Sequence, residues 1–417
     1  MIFRGYILKL AAGSLFVAAA IIALNFFVDP YAIFGTQRIP GINMKKPFAG
    51  DQGHIAKAYQ SLRVRPKTII IGNSRPELGL DPENQCFATD ESPVYNLALP
   101  GLSFMNQALY GLQSINAGTV TQAFVAVDFL DFIVPASATD GITSEIFPVQ
   151  GGNALLRLSA DEARSPAYLI EKTRNYALAM ASLEALSAST LTILRQHAVF
   201  TEDRTELGYH PAENLFMPII ESEGLDVLFD QKHEELASRL RNQDWQLAPQ
   251  GSEASQAMSA LRHFLLSAKN AEIEVSVFIN PYHAEYMAHV YLNDLWPLFE
   301  DWKSMILELG DGLDFAVYDF SLSDQRLYES RTSSDDQHQP LTWFWEPAHY
   351  RKELGDLMIE HMTDCGSANT SSSTRFGQRL RPDTLQTLMN AERVRFSGFL
   401  ENNWALRDRI LGYYDRD

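Results

Sequence analysis

Cysteine is scarce in this chain. Cys86 and Cys365 are the only two in 417 residues, too few for a disulfide-dense scaffold, and neither lies in a CxxC or Cys/His spacing that reads as zinc. Basic runs are missing as well. With 34 Lys and Arg against 52 Asp and Glu, the formal net charge is −18 and the cations are dispersed. Affinity for a phosphate backbone rests on clustered cations, so a nucleic-acid partner is excluded. There is no internal repeat. The "KHEEL" stretch at His233 lacks the second histidine of a zinc-protease helix. A Glu-x-x-His pair occurs once, at Glu346 and His349, where a di-iron bundle needs two copies and further carboxylates. No metal and no cofactor are expected.

Charge-free apolar stretches are also rare, with one exception. Leu10 to Val28 gives 19 residues without a charge, Ser14 and Asn25 being the polar ones. As a helix it spans about 28 Å, the hydrocarbon thickness of a bilayer. Arg4 and Lys9 precede it and Asp29 follows, which orients the amino terminus inside and the bulk of the chain outside. A cleaved signal peptide is the rival reading, but its best small-residue site, Ala18 to Ala20, runs into more apolar residues. The expectation is a transmembrane anchor over residues 1–28, holding the membrane through 10–28. In a bacterium with two membranes this is a single-pass inner-membrane protein with its soluble domain in the periplasm.

The 46% hydrophobic and 21% charged content is that of a folded protein. Residues 29–66, rich in Pro and Gly, read as a stalk or a segment packed outside the main domain. Beyond them, short β-branched runs alternate with amphipathic helices. The strands expected are "TIII" from Thr68, Pro93 to Leu99, Gln122 to Phe129, Ile273 to Ile279 and Phe315 to Phe320. Helices are expected over Phe104 to Ala117, Ser252 to Lys269, His283 to Leu309 and Tyr350 to His361. This alternation predicts an α/β domain over residues 67–363, a doubly wound (flavodoxin-like) parallel five-stranded sheet. Residues 133–272 are too long for a crossover and read as a helical insertion that roofs the site. Residues 364–380 read as a flexible linker. Residues 381–417 read as a C-terminal amphipathic helical segment docked on its own domain, or else a partner helix, with Leu385, Leu388 and Met389 on one apolar stripe and Leu400 with Trp404 on another.

Ligands of such sheets sit beyond the strand carboxyl ends. The first strand ends there on Gly72, Asn73, Ser74 and Arg75. A serine nucleophile needs a base within hydrogen-bond reach, a group that orients the base, and donors for the oxyanion. His349 is the candidate base and Glu346 the group that holds it, in "EPAHY" ahead of the last amphipathic helix. The bland alternatives are a turn-capping serine and an acid serving a helix start. His283 is either a second base or a loop-packed histidine.

The order and spacing of these motifs resemble the SGNH (GDSL-like) hydrolase superfamily. "GNSR" matches its Gly-Asp-Ser motif with Asn73 where Asp is usual, and "EPAHY" its Asp-x-x-His with Glu346 for Asp. "NLALPG" places Gly101 where the family's oxyanion glycine sits. The similarity covers roughly residues 66–132 and 270–363, and together with "VDPYAIFG" it resembles a membrane-anchored bacterial branch associated with exopolysaccharides, including relatives of alginate-acetylation proteins. The family's third block supplies an Asn after the third strand, whereas this chain has Asp128 and Asp131. A carboxylate aimed at the oxyanion would repel it, so Arg75 and Asn280 stand as candidate replacement donors or substrate-binding groups.

The resemblance implies a serine esterase or O-acyltransferase acting on acyl (acetyl) esters of an exported polysaccharide. Catalysis would fall to Ser74, His349 and Glu346, and the oxyanion to the Ser74 and Gly101 amides. Polysaccharide or acyl donor is the expected substrate, with a synthase or secretion protein as candidate partner. The rival class is a non-catalytic carbohydrate-binding or polysaccharide-assembly factor. Finally, Cys86 lies ahead of the second strand and Cys365 past the last helix. In a doubly wound sheet both fall at the edge opposite the site, where an exported domain permits a bridge.

Overall fold

The computed structural model describes residues 2–139, 155–156, 165–321, 324–331, 337–365 and 375–415. The chain divides into two compact units, Met1–Val64 with Val149–Leu215, and Arg65–Pro148 with Phe216–Asp417.

The first unit begins with the helix Ile2–Val28, of which Phe3–Val28 is long and apolar enough to cross a membrane. The helices Pro166–Ala181 and Leu183–Leu194, bent by 55°, pass that test only as a pair. They pack on the carboxyl end of the first helix. Asn25 is buried there, donating to the Met180 carbonyl at 2.8 Å and accepting from the Ser189 hydroxyl at 2.9 Å. Residues 29–66 are therefore no bare stalk. Asp29 accepts from the Gly35 amide, the buried Lys46 ammonium caps the Val28 and Asp29 carbonyls, and Gly53–Val64 is helical. The expected insertion over 133–272 falls in both units. Its middle, Val149–Leu215, clusters with the N-terminal segment, and from Phe216 on it belongs to the sheet unit. Its residues 140–154 and 157–164 lie outside the described residues.

The second unit is mixed α/β around a parallel-dominated sheet. Its strands are β1 (Thr68–Ile71), β2 (Val94–Asn96), β3 (Gln122–Val127), β4 (Glu274–Ile279), β5 (Ala316–Asp319) and β6 (Gln378–Arg379), in the order β6-β5-β4-β3-β1-β2. The first five are mutually parallel, and the sixth runs antiparallel to β5. Among the described residues the sheet has six strands rather than the expected five, because the end of the presumed linker pairs with the open edge of β5. Residues 366–374 of that linker lie outside the described residues. The strands are almost wholly buried, as a sheet covered on both faces requires.

The expected long helix over His283 to Leu309 is two, Ala284–Leu292 and Trp296–Asp311. Asp294 between them takes a left-handed φ of 56°, and Pro297 in the first turn of the second helix lacks the amide to continue the first. The C-terminal segment forms two helices, Leu385–Asn402 and Trp404–Tyr414. Phe396 stacks on Trp296 at 4.9 Å, and Glu392 accepts from the fully buried Lys303 at 2.7 Å. Leu385, Met389 and Leu400 are buried as expected, but Trp404 is exposed and belongs to no apolar seam. Cys86 and Cys365 are joined in a disulfide with Cα atoms 5.4 Å apart.

Candidate active site

Parallel pairing sets the site. Val125 of β3 is level with Ile71 of β1, and Val127 with Ile279 of β4, so Ser74, Asp128 and Asn280 all follow the carboxyl ends of neighbouring strands. The Leu99 amide donates to the Gly72 carbonyl at 2.9 Å. Gly101 and Ser74 thus each leave the sheet two residues beyond one shared hydrogen bond. Gly101 is exposed, at φ 68°.

Ser74 opens a six-residue helix, Ser74–Gly79, whose N-cap is Asn73, its side chain accepting from the Arg75 amide. Glycine precedes this turn for steric reasons. A Cβ on Gly72 would lie 2.8 Å from Cβ of Ala126 and closer still to the Pro76 ring. The helix ends at once because Leu80 is extended, and Asn96, buried on β2, donates to the Pro76 and Leu80 carbonyls.

The acid and the base share a tight hairpin rather than a helix start. Phe344–Glu346 runs antiparallel to His349–Tyr350, with Glu346 and His349 as cross-strand partners around Pro347 and Ala348. His349 Nε2 lies 2.7 Å from Ser74 Oγ, and its Nδ1 bonds Glu346 Oε1. The other Glu346 oxygen accepts from the Ala348 amide at 2.8 Å. Burial works to raise the Glu346 carboxyl. The His349 charge, Lys232 and the hydrogen bonds from His349 and Ala348 outweigh it and hold the group down to about 2. Ser74 and His349 remain part-exposed while Glu346 is buried. The imidazole lies 6.1 Å from the ring of Phe216, tilted by 42°, and Phe216 stacks on Trp345. The arrangement can lower the cost of removing a proton from Ser74 and return it to a leaving group.

No family model matches this chain, and no curated protein does.

Arg75 and Asn280, expected to face a substrate, are instead taken up inside the protein. Both are buried, and both donate to Asp128 Oδ2, Arg75 at 2.6 Å and Asn280 at 3.2 Å. Asp128 also accepts from Asn73 at 2.6 Å and from the Tyr282 hydroxyl. The carboxylate at this position is thus neutralised and consumed by four donors. Asp131 lies 3.5 Å from Asn73 Nδ2, and burial, with the Asp128 charge, pushes it up to about 6. His283 is the loop-packed kind: its Nδ1 caps the Glu285 amide and its Nε2 meets the Glu329 carbonyl. His233 is buried against His289 and Glu285. A pocket lined by Leu225, Asp226, Arg331 and Thr342 includes none of Ser74, Glu346 or His349.

The residues that the sequence did not single out are Asn96, Tyr282 and Tyr286. A signal was present for Asp128, since a carboxylate ending a buried apolar strand must find cationic or hydrogen-bonding partners. Its partners come from two separate segments, residues 73–75 and 280–282.

Proposed function

We propose that this chain is an envelope-facing, membrane-anchored serine esterase or O-acyltransferase of the SGNH type, acting on acyl esters of an exported polysaccharide. The observation that carries the reading is the unbroken chain from Ser74 Oγ through His349 to Glu346, in a part-exposed position at the sheet's carboxyl edge. Ser74 attacks the acyl carbon as His349 takes its proton, and Glu346 holds the imidazole tautomer and steadies the imidazolium. The Ser74 and Gly101 amides serve the oxyanion. Water as second acceptor gives hydrolysis, and a sugar hydroxyl gives transfer. The strand order β2-β1-β3-β4-β5 supports the doubly wound reading of the five parallel strands. The apolar N-terminal helix and the disulfide support an extracytoplasmic bulk, periplasmic in a bacterium with two membranes.

The test uses the full-length protein in detergent. A serine-directed fluorophosphonate should label Ser74, and a small activated acetyl ester should be turned over. His349→Ala should abolish both, because an unassisted hydroxyl is a weak nucleophile. A folded wild-type protein that takes no label ends the catalytic reading in favour of a carbohydrate-binding or assembly factor.

A further inference from the structure

Two buried charges beside Ser74 take no part in the proton path, yet between them they bond both segments that carry it, the Ser74 turn and the His349 hairpin. We propose that Arg75 and Asp128 are positioning residues that clamp the nucleophile turn to the histidine hairpin. The catalytic consequence rests on the esterase reading; the clamp itself rests on geometry.

Arg75 follows Ser74 and Asn73 precedes it, and both donate to the same oxygen of Asp128 at 2.6 Å. Asn73 closes the turn by accepting from the Arg75 amide at 3.0 Å. The serine is thereby pinned on both sides to the end of β3. From the same guanidinium, Nε donates to the Ala348 carbonyl at 2.8 Å. Ala348 is the residue before His349, and its amide holds Glu346. One rigid fork therefore spans the nucleophile turn, the third strand and the hairpin. The guanidinium also lies 5.0 Å from the ring centre of Tyr282 and 5.1 Å from that of Tyr286, and Tyr282 is itself tied to Asp128. A substrate-binding arginine would present its donors to solvent. This one is 8% exposed. Lysine cannot replace it, because a single ammonium lacks the planar fork that meets two acceptors in fixed directions.

The experiment measures, in full-length protein in detergent, the rate of Ser74 labelling by a fluorophosphonate, kcat and KM for an activated acetyl ester, and deuterium exchange of the peptide spanning residues 344–352. Arg75→Lys should slow labelling and kcat by about 10²-fold with KM little changed, as a misplacement of about 1 Å does. It should speed exchange of the hairpin roughly tenfold in a protein that still melts cooperatively. The double variant Arg75→Met with Asp128→Asn removes both charges, so no buried ion is left unpaired and the fold should be kept. It should stay as slow as Arg75→Lys. A folded double variant with wild-type rates, or wild-type hairpin exchange in Arg75→Lys, overturns the clamp. If wild-type protein takes no label but Arg75→Lys still loosens the hairpin, the clamp stands and the esterase reading alone falls.

Discussion

Gly355→Ala tests the contact that brings the two halves of the candidate site together. Gly355 lies in the helix Lys352–Met362, directly after the His349 hairpin, and it faces Gly79 at the end of the Ser74 helix. A methyl group built there would overlap the Gly79 carbonyl oxygen and sit 2.7 Å from its carbon, where ordinary contact begins at 3.4 Å. The obstacle is backbone, so no rotamer change relieves it; clearing the carbon alone takes about 0.7 Å, and the nearer oxygen requires the helices to part by more than that. Overpacking of this kind costs about 1–3 kcal/mol. In a domain of this size that lowers the melting temperature by roughly 2–4 °C per kcal/mol. Because Ser74 opens one of the separating helices and His349 lies just ahead of the other, labelling of Ser74 should slow by a factor approaching 10². The control is Gly398→Ala, whose added methyl meets nothing within 4 Å. It should be neutral or slightly stabilising, since alanine favours a helix interior. Thermal melts and fluorophosphonate labelling on the three full-length proteins decide the matter. Wild-type melting together with wild-type labelling in Gly355→Ala would refute the close-approach argument.

Two further outcomes follow from the same geometry. Glu346 is held down to about 2 in the folded protein against an ordinary value of 4.5, so the stability it supplies is complete above about pH 4.5 and lost as the pH falls toward 2. The gap in denaturation midpoint between wild type and Glu346→Gln should therefore be constant from pH 7 to about 5 and shrink below it; a gap independent of pH would contradict this. Replacing Cys86 and Cys365 by serine should cost about 2–4 kcal/mol. Reductant should bring wild type to the same denaturation midpoint, and a wild-type midpoint insensitive to reduction would show that the bridge adds nothing.

Much of the organisation is legible in local chemistry. The charge-free run up to Val28 reads as a helix without reference to any other residue, because a bilayer-length apolar stretch has few other stable forms. Period and branching place β1 through β5, since strands buried on both faces are near-continuously apolar. The serine elbow and the acid-x-x-His pair are visible as short motifs whose residue types suit one chemistry. Even the disulfide partners follow once the order of elements is assumed.

Other features depend on partners far away in the chain. The two-residue β6 carries no pattern of its own and exists only because the edge of β5 offers unpaired backbone groups. The division of residues 133–272 between two units depends on which apolar faces find one another, and helical periodicity is the same in either place. The Glu346–His349 spacing suits a helix turn as well as a hairpin, and the pairing of Phe344 with Tyr350 decides for the hairpin. Above all, Arg75, Asn280 and Asp128 read from sequence as groups free to meet a substrate or repel an oxyanion. Folding brings Arg75 and Asn280 within hydrogen-bond distance of Asp128, Asn280 across 152 residues. A buried charge must be neutralised by whatever the topology sets beside it, and that proximity is a property of the assembled sheet.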